Sequence, residues 1–140
     1  MNEQPLKIGI VVSTYNSNIT QRLLEGSLKT LQSGGWDGDR VETVKVPGAW
    51  ELPLAAQRLL DRDEVQGVVV LGAVIRGETT HDQHINRAVS SALMDLMLAS
   101  GKPVGFGLLT CNTLEQAIHR AGGNVGNKGC ETAEAVLSML

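Results

Sequence analysis

The stretch that decides the fold runs from Val69 to Asn86 and reads VVLGAVIRGETTHDQHIN. It begins inside an apolar run, Val68 to Val74, that is typical of a strand buried on both faces of a parallel sheet. After a break at residues 76–80, apolar residues recur at helical spacing, which predicts an amphipathic helix. The predicted buried face consists of Ile85, Ala88, Val89, Ala92, Leu93, Leu96 and Met97.

The loop between this strand and this helix has the features of an anion site. Thr79 or Thr80 is a candidate N-cap, which leaves the backbone N–H groups of residues 77–80 free to bind an anion. His81 follows in the first helical turn, at the rim of the same crevice, and an imidazole titrates near neutral pH. The pattern therefore predicts an anion-binding loop with a titratable side chain beside it.

Composition narrows the class of protein. The chain has 140 residues and a net charge of −3, with 42% hydrophobic and 19% charged residues. A chain of this size buries roughly 68–70% of its unfolded surface, as an ordinary globular domain does. The charge gives no argument for nucleic acid or membrane binding, and residues 1–5 contain no apolar signal core. Cys111 and Cys130 form neither a disulfide framework nor a zinc spacing, so a cytoplasmic protein with reduced thiols is expected.

Three further apolar runs predict strands at residues 7–12, 41–46 and 104–109. The predicted helices start near residue 19, at Leu52-Pro53 and at a capping box from Thr113 to Gln116. Residues 122–127 break the chain before a last helix. Strands that alternate with helices imply right-handed βαβ units. We therefore expect an α/β fold, a three-layer αβα sandwich with a four-stranded parallel sheet of the flavodoxin-like type. Residues 1–140 are expected to form one domain, with 1–6 as a flexible N-terminal arm. The last helix is expected to bury Ala133, Val136, Leu137 and Leu140.

Unusual residues follow the carboxyl ends of the predicted strands, where ligands bind in sheets of this kind. Tyr15-Asn16 follows the first strand, and Ala49-Trp50-Glu51 follows the second. Two aromatic rings on neighbouring loops could sandwich a flat heterocycle. A surface tryptophan that covers the sheet edge would explain Trp50 equally well.

The other candidates also have two interpretations. His81 and His84 are spaced i, i+3, but a metal site normally needs a third ligand and none is evident, so no metal is expected. Arg120 could hold a phosphate, yet a cation at a helix C-terminus is favoured by the helix dipole alone. Lys128 could also bind phosphate, or could pair with Glu131 one helical turn away.

Ordered motifs along the chain identify a family resemblance. They are Tyr15-Asn16, VPGAWELP at 46–53, LGAVIRGETTH at 71–81, PVGFG at 103–107, and Glu115-Gln116-Ala117 with Arg120-Ala121-Gly122 and Asn127-Lys128-Gly129. On these motifs the chain resembles the lumazine synthase family of riboflavin biosynthesis, from Lys7 to the C-terminus.

The resemblance implies a reaction and a set of roles. A ribitylaminopyrimidinedione condenses with 3,4-dihydroxy-2-butanone 4-phosphate to give 6,7-dimethyl-8-ribityllumazine, phosphate and water, with no cofactor. It implies that His81 relays protons and that Tyr15, where the family usually has Phe or Trp, stacks on the pyrimidine. The N–H groups of Glu78 and Thr79 would hold the phosphate. The remaining implied substrate contacts are Asn16, Ala49, Trp50, Glu51, Ala73, Val74, Ile75, Lys128 and Glu131, with Phe106 and Arg120 supplied by a neighbouring subunit.

The resemblance also implies a homo-oligomer, either a pentamer or a shell of twelve pentamers, with riboflavin synthase as a possible partner. The short segment at residues 122–128 is similar to that of shell-forming members. Two other functions share the predicted fold, since a fold does not fix a function. They are a flavodoxin-like electron carrier, which would hold a flavin, and a catalytically silent shell or storage protein.

Overall fold

The protein has an α/β fold in which one parallel sheet lies between two layers of helices. The computed structural model describes residues 5–76, 81–123 and 126–140, and for His81 only its place in a helix. The strands of the sheet are β1 (Lys7–Ser13), β2 (Val41–Val46), β3 (Val65–Ile75) and β4 (Val104–Cys111). The helices are α1 (Ser17–Ser33), α2 (Leu52–Leu60), α3 (His81–Ser100), α4 (Leu114–Arg120) and α5 (Lys128–Ser138).

All four strands are parallel and stand in the order β2-β1-β3-β4. One line of paired residues crosses the whole sheet, from Thr43 through Ile10 and Val69 to Gly105. This order matches the first four positions of a flavodoxin-like sheet, and the chain reverses its direction of growth between β1 and β3. The predicted fold class is confirmed.

Alternation along the strands divides the core into two halves. Ile8 and Ile10 of β1 pack on one face with α1, α4 and α5, whereas Val11 packs on the other face with α2 and α3. The central strand β3 supplies both halves, with Val69 on the first face and Val70 on the second. Because β3 is covered on both sides, its sequence is almost continuously apolar.

The helix predicted after β3 is present, but its buried stripe is narrower than expected. Val89 and Leu93 are buried and Ile85 and Leu96 pack beside them, whereas Ala88 is exposed. Ala88 lies about 100° around the helix from Val89, beyond the width that the sheet covers. The prediction that Ala88 is buried was therefore wrong.

Two further details differ from the expectations near the C-terminus. Helix α5 ends at Ser138, so Leu140 lies beyond the helix and is 54% exposed rather than buried. The segment expected only to break the chain contains two short antiparallel strands, β5 (Ala121–Gly123) and β6 (Gly126–Asn127). Residues this rich in glycine and asparagine carry turn signals but little strand propensity, so the pairing was not predictable.

Helix α5 is joined closely to α1. The Asn127 side chain caps α5, because its Oδ1 accepts from the N–H of Gly129 at 2.7 Å. Its Nδ2 donates to the carbonyl of Arg22 in α1 at 3.1 Å, which connects the two helices. The Ser27 hydroxyl donates to the carbonyl of Gly129 at 2.8 Å. A Cβ on Gly129 would lie 2.0 Å from the Leu23 carbonyl oxygen, so glycine is required for this approach.

Candidate functional site

A cleft of about 340 Å³ opens at the carboxyl ends of the strands. It lies where the sheet order reverses, which is the usual position of a ligand in such folds. The lining residues come from the loops after β1 and β2, the end of β3 and the first turns of α3. They are Tyr15, Gly48, Ala49, Trp50, Glu51, Ala73, Val74, Ile75, Asp82 and Ile85.

The two loops that carry the aromatic residues are held together by backbone hydrogen bonds. The N–H of Thr14 donates to the carbonyl of Val46 at 2.8 Å, and that of Tyr15 donates to Pro47 at 3.0 Å. Tyr15 is 73% exposed and Trp50 is 65% exposed. Large aromatic side chains left open at a cleft are characteristic of ligand-binding surfaces. Both aromatic rings are therefore open to a ligand at the cleft, and the role of Trp50 as a substrate contact stays a prediction.

The turn before α2 fixes the second aromatic loop. Ala49–Glu51 form a single 3-10 turn, and the Glu51 Oε1 atom accepts the N–H of Gly48 at 2.9 Å. This hydrogen bond closes the turn formed by residues 48–51, which places Trp50 at the cleft. The second carboxylate oxygen of Glu51 is left for other contacts at the cleft.

The end of β3 contributes its backbone to the cleft. Pairing between β1 and β3 ends at Leu71, whereas β3 continues to Ile75 alongside β4. The backbone of Ala73, Val74 and Ile75 therefore projects past β1 into the crevice. Amide groups in such a position can hydrogen-bond the edge of a polar ring.

Asn16 is not a lining residue of the cleft, but its side chain connects two of the elements that form the cleft. Its Nδ2 donates to the carbonyl of Ala73 at 2.9 Å, and its backbone is left-handed with φ 61°. This contact connects the loop after β1 to the end of β3. The prediction that Asn16 contacts substrate is untested, but the structure gives it a positioning role.

Three lining residues were not among the predicted site residues: Gly48, Asp82 and Ile85. Asp82 is only 7% exposed, and its Oδ1 atom is buried without a hydrogen-bond partner. An acidic residue in the first turn of a helix is common because it favours the helix dipole, so its sequence position gave no specific signal. Ile85 was predicted as a core residue, and the same side chain also borders the cleft.

Besides Asn16, four predicted substrate contacts in the described part of the chain do not line the cleft of their own chain. Phe106 is in the middle of the edge strand β4 and 40% exposed, and half-buried Arg120 ends α4. Lys128 and Glu131 lie in the first turn of α5, and the described residues give no ion pair between them within 4 Å.

Arg120 lies within electrostatic reach of the Cys111 thiol at the carboxyl end of β4. Burial raises the pKa of Cys111, and the nearby guanidinium opposes this rise only in part. A buried thiol with a raised pKa is a poor nucleophile, so Cys111 is not a candidate for nucleophilic catalysis.

Some predictions fall outside the described part of the chain. They concern the phosphate-binding N–H groups of Glu78 and Thr79, the N-cap at Thr79 or Thr80, and the side chain of His81. Within the described ranges, no three His, Cys, Asp or Glu side chains are grouped so as to hold a metal ion. No helix in those ranges is long and apolar enough to cross a membrane.

The architecture and the cleft define a small-molecule-binding α/β domain with a flavodoxin-like sheet. The family model for 6,7-dimethyl-8-ribityllumazine synthase matches residues 5–140. The chain belongs to this family, which is a family of transferases in riboflavin biosynthesis.

Curated relatives agree with the family match. A 6,7-dimethyl-8-ribityllumazine synthase of Rhodopirellula baltica is 52% identical over 134 residues, covering 96% of this chain and 86% of the relative. One from Desulfovibrio desulfuricans is 42% identical and covers 100% and 90% of the two chains. One from Pediococcus pentosaceus is 41% identical and covers 99% and 89%.

Proposed function

We propose that the protein condenses 5-amino-6-(D-ribitylamino)uracil with 3,4-dihydroxy-2-butanone 4-phosphate. The products are 6,7-dimethyl-8-ribityllumazine, phosphate and water. The observation that carries the proposal is the cleft at the sheet reversal, with its two exposed aromatic side chains and the end of β3 that extends past β1. A flat pyrimidine stacks on Tyr15 or Trp50 while the amides of residues 73–75 bond its edge.

The charged side chains of the cleft indicate which of the two substrates binds there. Among the lining residues that the structure describes, the charged side chains are the carboxylates of Glu51 and Asp82. Carboxylates accept hydrogen bonds from amines and hydroxyls and repel a phosphate. The pyrimidine with its ribityl chain therefore occupies this cleft. The phosphate of the second substrate is assigned to the N–H groups of Glu78 and Thr79 and to Arg120.

The chemistry requires several proton transfers, and His81 is assigned to relay them. A Schiff base forms between the 5-amine of the pyrimidine and the ketone with loss of one water, phosphate is eliminated to leave a new carbonyl group, and the ribityl-bearing nitrogen closes the ring on that carbonyl with loss of a second water. Correct placement of two reactants alone can be worth about 7–11 kcal/mol, so much of the acceleration does not depend on one base. His81→Ala should therefore slow turnover without abolishing it, and the exposed neighbour His84→Ala is the matched control.

Arg120 should act mainly on the phosphorylated substrate. We expect Arg120→Ala to raise the KM for the butanone phosphate and to leave the KM for the pyrimidine nearly unchanged. The exposed Arg58 on α2 provides the control substitution, Arg58→Ala. Equal effects on both substrates would contradict the assigned role.

We propose that Phe106 and Arg120 complete the cleft of a neighbouring copy, and that Lys128 and Glu131 lie near the ribityl chain. The support is that neither Phe106 nor Arg120 lines the cleft of its own chain, while Phe106 is exposed on an edge strand. A site that two copies share requires a homo-oligomer, either a pentamer or a shell of twelve pentamers. Light scattering separates the two, as five-fold or sixty-fold multiples of the 14.9 kDa chain.

Subunit mixing tests the shared site directly. When a Trp50→Ala chain is coexpressed with an Arg120→Ala chain, some neighbouring pairs combine the unchanged Trp50 of one chain with the unchanged Arg120 of the other. If the site is shared, mixed assemblies should recover about a quarter of the clefts, because partners in a symmetric ring assort at random. A mixture no more active than the average of the two separate variants would show that each chain works alone.

One assay tests the proposed reaction as a whole. Both substrates are supplied, and lumazine fluorescence and phosphate release are followed together; both signals should rise at equal molar rates. A protein that is yellow as purified and forms no lumazine would instead indicate a flavin carrier.

A further inference from the structure

Among the cleft residues that the structure describes, Asp82 is the one whose side chain has a buried polar atom without a hydrogen-bond partner. It lies in the first turn of α3 and is 7% exposed, and its Oδ1 atom is buried without a hydrogen-bond partner. The same residue borders the cleft. Buried polar atoms in native proteins are nearly always paired, so an unpaired carboxylate oxygen at a binding cleft requires an explanation.

The position of Asp82 in the helix explains its charge only in part. A carboxylate near a helix N-terminus is favoured by the helix dipole. That interaction does not give Oδ1 a donor. Glu51, the other carboxylate of the cleft, differs in this respect because its Oε1 already accepts the N–H of Gly48. Asp82 therefore keeps an unpaired acceptor in the wall of the cleft.

We propose that Asp82 is a specificity-determining residue whose carboxylate accepts a hydrogen bond from an N–H or O–H group of the molecule bound in the cleft. A site that holds an unpaired buried acceptor favours a ligand that brings a donor and discriminates against one that does not. This inference rests on the proposed function, in which the donor is either the free amine of the pyrimidine or a ribityl hydroxyl.

The test compares three ligands on two variants. Asp82→Asn removes the charge and keeps the shape, whereas Asp82→Leu removes the acceptor. The ligands are 5-amino-6-(D-ribitylamino)uracil, the same molecule without the 5-amino group, and the same molecule with a butyl chain in place of ribityl. Dissociation constants are measured by titration with the assembled protein under anaerobic conditions.

We expect Asp82→Asn to weaken binding of the complete ligand about tenfold, and Asp82→Leu to weaken it more. The penalty should disappear for the ligand that lacks the responsible donor, and this identifies the donor as the amine or a hydroxyl. Asp95→Asn is the matched control, because Asp95 is exposed on the same helix and does not line the cleft. It should bind all three ligands as the wild type does.

Two results would overturn the inference. Asp82→Asn could weaken all three ligands equally, which would show that neither the 5-amino group nor a ribityl hydroxyl is the donor, or it could weaken none of them, which would show that no ligand donor meets the carboxylate. It could instead change only the melting temperature or the assembly size, which would assign Asp82 to the helix N-terminus or to a neighbouring copy. Failure of the proposed function is separate: it would appear as a wild-type protein that binds the pyrimidine but makes no lumazine.

Discussion

The side-chain amide of Asn16 donates to the carbonyl of Ala73 at 2.9 Å, although the two residues are 57 positions apart in the chain. Asn16 also has a left-handed backbone, with φ 61°, at the point where the loop after β1 enters α1. One residue therefore shapes this loop and attaches it to the strand that forms the floor of the cleft.

Substitution of Asn16 should lower stability and weaken ligand binding together. Asn16→Ala loses the hydrogen bond and puts alanine, which tolerates the left-handed conformation less well than asparagine, at φ 61°, so we expect a loss of about 2 kcal/mol in the free energy of unfolding. Asn16→Gly also lacks the hydrogen bond, but glycine is not strained in this conformation. About half of the stability that Asn16→Ala loses should therefore return. Denaturant titration measures both variants, with the exposed Asn18→Ala as control. Equal losses for Ala and Gly would show that backbone conformation is unimportant at this position.

Trp50 should matter for binding far more than for folding. Because its side chain is 65% exposed, we expect Trp50→Ala to change the free energy of unfolding by less than about 0.5 kcal/mol. Loss of an aromatic stacking partner should weaken pyrimidine binding about three- to tenfold. Isothermal titration measures the affinity, and Leu54→Ala, an exposed apolar residue on α2, is the control. Unchanged affinity in Trp50→Ala would remove Trp50 from the site.

A charge cluster at the end of the sheet opposite the cleft should make the stability of the fold depend on pH in the acidic range. Its members are Lys7, Glu42, Arg62 and Glu64. The Arg62 guanidinium donates to Glu42, with Nη2 to Oε1 at 3.0 Å, and holds the pKa of Glu42 below its usual value of 4.5. A lowered pKa in the folded protein means that the ion pair stabilises the fold above that value and that this contribution is lost as the pH falls below it.

Glu42→Gln isolates this effect. About a third of the Glu42 side chain is exposed, so we expect the variant to be less stable by no more than about 1 kcal/mol at pH 7. The difference should shrink below pH 4.5 as the wild type loses the same charge. Urea unfolding across the pH range measures it, with the exposed Glu25→Gln as control. A difference that stays constant down to pH 3 would contradict the assignment.

Gly129 should tolerate no side chain. A Cβ there would lie 2.0 Å from the Leu23 carbonyl oxygen, which is backbone and cannot rotate away. We expect Gly129→Ala to lose more than about 3 kcal/mol or to fail to fold, because α5 must move off α1. Gly48→Ala is the matched control, since its nearest contact is a flexible glutamate oxygen at 3.4 Å. Circular dichroism during thermal unfolding should separate the two variants.

Local periodicity was sufficient to predict the four strands of the parallel sheet and the five helices, but not the short strands β5 and β6. The predicted strand at residues 68–74 became Val65–Ile75 because pairing with β1 and β4 extends it at both ends. Residues that follow parallel strands must meet at one edge, and Tyr15, Trp50 and Ala73 do so. The exposure of Ala88 and the unpaired oxygen of Asp82 were not predictable, because both depend on how closely α3 packs against its neighbours.

The hydrogen bond between Ser27 and Gly129 has a consequence for how the chain folds while it is being synthesised. These residues are 102 positions apart, and they join a helix made early to the helix made last among those described. While the chain is still being translated, the face of α1 that packs on α5 stays uncovered until residues 128–138 leave the ribosome. Nascent chains stalled before that point should therefore keep an apolar helix surface open, and chaperones would compete for it.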